Sequence, residues 1–113
     1  MIAVIFEVEL KKEGKAEYLA LAQRLKQSLV GMPGFISVER FQSLAEVDEG
    51  AVPKILSLSY WQDEASIKNW RQQDAHSKAQ VTGRDQLFCD YRIRVAHVVR
   101  DYSLSDRQQA PSI

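Results

Sequence analysis

The chain has 113 residues, 45% apolar and 27% charged, which leaves room for one hydrophobic core and excludes a second folded domain, a collagen-like repeat or a disordered chain. Fifteen basic and fifteen acidic side chains cancel, so there is no broad positive field to collect phosphates, and nucleic-acid binding is not expected. A lone cysteine, Cys89, rules out an intrachain disulfide, and no apolar run approaches the ~18 residues of a spanning helix. These features predict a cytoplasmic domain without a membrane segment.

Residues Ile2 to Leu10 alternate, with Ile2, Val4, Phe6, Val8 and Leu10 on one face, and predict a strand. Glu7 and Glu9 break the apolar run too early for a signal-peptide core. After Gly14, the spacing of Tyr18, Leu21, Ala22, Leu25 and Leu29 predicts an amphipathic helix that Gly31 and Pro33 end. The turn Met32-Pro33-Gly34 leads into a second strand over Phe35 to Ser43, where Phe35, Ile36, Val38 and Phe41 are apolar. Leu44 to Pro53 reads as a loop, followed by a third strand over Lys54 to Trp61. This strand places Leu56, Leu58 and Tyr60 on one face and Ile55, Ser57, Ser59 and Trp61 on the other.

Asp63 is placed to cap a helix whose first turn also carries Glu64, which suits the positive end of the helix dipole. That helix runs through Ile67 and Trp70 and breaks near a second cap at Asp74, continuing through Ala79 and Gln80 to Gly83. From Phe88 to Tyr102 a long alternation sets Cys89, Tyr91, Ile93, Val95, His97 and Val99 against Asp90, Arg92, Arg94, Ala96, Val98 and Arg100. A strand of that length exceeds the usual five or six residues and calls for a partner beyond its own sheet, most simply a second subunit. The domain is expected to span residues 1–102, with 103–113 a flexible tail.

The order βαββαβ predicts an α+β, ferredoxin-like fold: a four-stranded antiparallel sheet with both helices on one face. Outward residues such as Ala3 and Ile5 are apolar enough that the other face should be covered in a homodimer.

The run Leu58-Ser59-Tyr60-Trp61-Gln62-Asp63-Glu64-Ala65-Ser66-Ile67-Lys68-Asn69-Trp70-Arg71, then His76, Ala79-Gln80 and Gly83-Arg84, with the closing segment Asp90 to Tyr102, resembles the antibiotic biosynthesis monooxygenase superfamily. Within it the chain is most similar to relatives of the haem-degrading monooxygenases. The resemblance implies a dimeric α+β barrel with a pocket in each subunit between helices and sheet, and Trp70 matches the tryptophan that lines that pocket. In haem-degrading members a ligand histidine stands ten residues later, where this chain has Gln80, a poor ligand for haem iron. In cofactor-free members a protonatable residue stands six after the tryptophan, here His76, whose ordinary pKa near 6.5 suits a base acting on a phenol or hydroquinone. Their asparagine four before the tryptophan is replaced by Ser66.

The implied activity is oxidation of a small aromatic or quinone-like compound by dioxygen without a bound cofactor, with His76 and Trp70 catalytic and Trp70, Gln80 and Arg84 contacting substrate. The alternatives are a non-catalytic ligand-binding dimer and a divergent haem binder ligating iron through His76. Taken alone, Trp70 reads as core packing, while His76, Gln80 and Arg84, spaced four apart, form either a solvated stripe or a pocket rim in which Arg84 steadies an anion. His97 reads as a hydrogen-bonded structural histidine, Cys89 as a small buried hydrophobe, and Arg92, Arg94 and Arg100 as members of cross-strand or intersubunit charge pairs, with Asp90 a candidate partner. Two histidines with no cysteine cluster make no recognisable metal site.

Overall fold

A computed structural model describes residues 1–73 and 87–111. Six elements follow in order: β1 (Ile2–Leu10), α1 (Lys15–Leu29), β2 (Phe35–Gln42), β3 (Ile55–Trp61), α2 (Glu64–Arg71) and β4 (Phe88–His97). The strands form one antiparallel sheet in the order β2-β3-β1-β4, with β1 and β3 central. This is the expected ferredoxin-like α+β architecture, and both helices pack on one face.

The inner face is read off the register, because residues directly opposite in an antiparallel ladder share a face. Val8, Phe6, Val4 and Ile2 of β1 lie opposite Ile55, Ser57, Ser59 and Trp61 of β3. On the other side the same β1 residues face Tyr91, Ile93, Val95 and His97 of β4. Two clusters close the ends of this face. One joins Val8, Leu10, Tyr18, Ile55 and Leu87; the other joins Ile2, Leu29, Trp61 and Trp70. The helix stripe expected from spacing is the one that packs: Tyr18, Ala22 and Leu29 are all buried.

A bulge in β2 changes what its alternation implies. Phe35 pairs with Trp61 but Ser37 pairs with Tyr60, so Ile36 is the extra residue. Beyond it the inward positions are Val38, opposite Ser59, and Arg40, opposite Ser57, whereas Phe41 points outward and is 44% exposed.

The turn before β2 is set by Gly34, whose φ is +82°. A Cβ there would collide with Ser66 of α2, so glycine is required both for the backbone and for the close approach of turn and helix. α2 begins at Asp63, whose Oδ1 accepts from the Ser66 amide at 2.8 Å and from the Ser66 hydroxyl at 2.7 Å. These two hydrogen bonds favour the ionised carboxyl and hold its pKa below the ordinary value.

Three expectations are corrected. The last strand stops at His97 and not at Tyr102: its ladder with β1 runs to the pair of His97 with Ile2, and Val98 then donates to the Met1 carbonyl at 3.0 Å. Cys89 is exposed, since it is the extra residue of a bulge on an edge strand, where Asp90 pairs with Glu9 but Phe88 with Leu10. His97 is exposed too, and its side chain makes no hydrogen bond among the described residues. The cross-strand charge pairing expected of the arginines is present at Arg94, which meets Glu7 of β1 at 3.3 Å, while Asp90 accepts from the Tyr91 amide. Glu7 also meets Lys54 at 3.7 Å, and such exposed pairs contribute at most about 1 kcal/mol each. No helix among the described residues is long and apolar enough to cross a membrane.

Candidate functional site

Between the two closed ends the inner face is hollow. A cavity of about 280 Å³ lies under α1 and α2, roofed by Leu21, Ala22 and Leu25 and walled by Val4, Phe6, Val38, Ile93 and Val95. Its cause is side-chain size along β3: the inward series is Ile55, Ser57, Ser59, Trp61, large at both ends and small in the middle. Small residues at positions where a packed core would carry leucine or isoleucine leave space that the neighbours cannot fill.

The walls are aromatic at both ends. Phe6, Phe88 and Tyr91 form a mutual cluster with ring centroids 5.8 to 5.9 Å apart, and Tyr18 stands edge-on to Phe88 at 6.0 Å. At the other end Phe35 meets Trp61 edge-on at 5.3 Å, and Trp61 Nε1 donates to Ser59 Oγ at 3.0 Å. Trp70 is 6% exposed and contributes to this wall from the last turn of α2, held against Ile2, Leu29 and Trp61.

Four polar side chains reach the cavity from the sheet and α1: Tyr18, Arg40, Ser57 and Ser59. Tyr18 is buried, and burial pushes its phenol pKa up, more strongly than the charge and hydrogen bond of the adjacent Arg40 guanidinium pull it down. The hydroxyl therefore stays protonated at neutral pH and can donate. Arg40 has no carboxylate partner among the described residues, and its Nε is buried without a hydrogen-bond partner. Arg71 of α2 also lines the cavity.

Of the residues singled out from sequence, Trp70 is on the cavity wall, while His76, Gln80 and Arg84 lie outside the described residues. Among the described residues no group of three or more His, Cys, Asp or Glu side chains could hold a metal ion. Sequence reasoning passed over Tyr18, Arg40, Ser57 and Ser59. Two serines on an otherwise apolar strand face were a usable signal; Arg40 gave none, because the bulge that turns it inward leaves no local mark.

This arrangement of sheet, helices and central hollow can be set against known proteins. The family model described as antibiotic biosynthesis monooxygenase matches residues 1–82. The chain belongs to the antibiotic biosynthesis monooxygenase family. This family member is 40% identical over 98 residues to the protein named Jasmonate monooxygenase ABM from Pyricularia oryzae. The match takes in 87% of the chain but 43% of that relative, so the chain spans less than half of its length. It is 34% identical over 98 residues to the Bacillus subtilis protein named Uncharacterized protein YqjZ, covering 87% of the chain and 79% of that protein. Among solved structures it resembles SnoaB, a cofactor-independent oxygenase from Streptomyces nogalater. The TM-score is 0.70 at 14% identity, over 88% of this chain and 94% of the other, a likeness of fold.

Proposed function

We propose that this family member is a monooxygenase that oxidises a small aromatic or quinone-like compound with dioxygen in the cavity beneath α1 and α2, without a bound cofactor. One observation carries the reading: an aromatic-walled hollow of about 280 Å³, bordered by Trp70, in a chain of this family. Pockets of this kind bury an apolar ligand and orient it through a few polar groups. The name of the Pyricularia oryzae relative and the fold shared with a cofactor-independent oxygenase support the same direction. In this reading a base, His76, takes a proton from a phenolic O–H of the substrate or from the activated CH₂ of its keto tautomer, either of which gives the same enolate. The resulting carbanion or enolate gives an electron to dioxygen, and the two radicals combine to a peroxide. Cleavage of its O–O bond leaves C=O on the substrate and releases the second oxygen atom as water, so that one CH₂ and one O₂ give one C=O and one H₂O. The aromatic walls offer faces against which a substrate ring stacks.

The reading includes a homodimer. The outer sheet face carries Ala3, Ile5, Leu56, Leu58 and Tyr60 in a continuous half-buried or buried patch, flanked by exposed Ile36 and Phe41. A second copy packed there would remove this apolar surface from water. Sedimentation should give twice the chain mass; a single monomeric species to high concentration would remove the dimer.

The activity is tested by oxygen uptake with a panel of anthrones, hydroquinones and jasmonate. Turnover should fall at least tenfold in Trp70→Ala and His76→Ala proteins. Uptake no greater in the unaltered protein than in the two variants, across the panel, would leave a ligand-binding dimer without chemistry.

A further inference from the structure

We infer that Arg40 and Tyr18 together anchor a carboxylate, so that the cavity takes a compact aromatic molecule carrying a single carboxylate group. This rests on the reading of the cavity as the substrate site and names the class of molecule that enters it.

The argument starts from charge. Arg40 projects from an edge strand into a hollow whose other walls are mostly Val4, Phe6, Leu21, Leu25 and Val38, and a guanidinium is always ionised. No described carboxylate neutralises it; the ion pairs of Glu7 lie on the opposite sheet face. Its Nε is already withdrawn from water with its donor capacity unspent. A half-buried guanidinium whose enclosed Nε has an idle donor is a state that a bound anion improves, by meeting both the charge and the donor.

Tyr18 decides what kind of anion. Its oxygen is occupied by the hydrogen bond with Arg40, and its own O–H remains available to donate. The pair therefore offers donors from a planar fork and from a hydroxyl beside it. A carboxylate has two oxygens to divide between them, whereas a phenolate has one. Ser57, directly opposite Arg40 on β3, adds a hydroxyl at the same level of the sheet. Beyond it in the same row stands Phe6, backed by Phe88 and Tyr91, so an aromatic body attached to the carboxylate lies against rings.

The test is calorimetric binding of 1-naphthylacetate and of its uncharged methyl ester to the full chain. The acid should bind about tenfold or more tightly than the ester. Arg40→Met should bring the acid down to the affinity of the ester while leaving the ester within about twofold, Arg40→Lys should recover part of the difference, and Tyr18→Phe should lose part of it. Equal binding of acid and ester by the unaltered protein overturns the anchor, as does absence of acid binding at millimolar concentration. Parallel loss of both ligands in an Arg40→Met protein that melts like the original overturns it as well. Acid-selective binding with no oxygen consumption by any compound has a different meaning: the anchor stands and the monooxygenase reading falls.

Discussion

The two ends of the inner sheet face and its middle are made from the same elements, yet the ends are packed and the middle is hollow. At the Trp61 end, Ile2, Leu29 and Trp70 surround an indole only 2% exposed, and Gly34 brings the β2 turn against the start of α2. At the Tyr18 end, Val8 and Ile55 are equally enclosed. Between them β3 contributes Ser57 and Ser59, and α1 contributes Ala22. The hollow is thus a pattern of side-chain size within regular strands and helix, not the product of a special loop. Packing is concentrated where the large residues meet, and the open space lies where they are withheld.

The strongest way to break this comparison is Trp61→Ala. Removing the indole should cost about 3–5 kcal/mol, since the surrounding residues belong to a packed end that cannot collapse fully. Urea titration should show the midpoint falling with little change in slope. A loss below about 1 kcal/mol would mean that this end is not the support it is taken to be.

Ser57→Leu addresses the middle. The added side chain enters open space, so stability should change by less than about 1.5 kcal/mol, while ligand binding and oxygen uptake should be lost because the cavity is filled. Unaltered uptake would move the active site away from this hollow.

The smallest effect is expected at the α2 cap that positions Trp70. The folded-state pKa of Asp63 lies below its unfolded value, so the ionised carboxyl contributes stability in full above the ordinary carboxylate value near 3.9. That contribution is lost as pH falls through the depressed folded pKa. The difference in Tm between the original protein and Asp63→Asn should therefore be constant near neutrality and shrink in acid below about pH 4. A difference that persists unchanged at low pH would assign the effect to the shape of the cap and not to its charge.

Much of the fold is legible in the chain itself because it is local. Alternation in Ile2–Leu10 and the stripe Tyr18, Leu21, Ala22, Leu25, Leu29 depend only on the repeat of strand and helix, and both survive into the structure. Trp70 is the residue that the family pattern singles out, and its side chain stands on the cavity wall. The end of β4 was not legible, because the alternation continues to Tyr102 while the ladder depends on how far β1 extends to meet it. Neither was the inward position of Arg40.

By itself, then, the sequence determined the six elements, their order and the family, all of which follow from periodicity and short contiguous motifs. Only the tertiary structure decided that Arg40 faces the cavity. Counted from Phe35 by simple alternation, Arg40 would point outward. The extra residue at Ile36 shifts the register against β3 and turns Val38 and Arg40 inward. Which way an edge-strand residue faces is fixed by its hydrogen-bonded neighbour and not by its own run of side chains, and here that neighbour places a cation beside Tyr18.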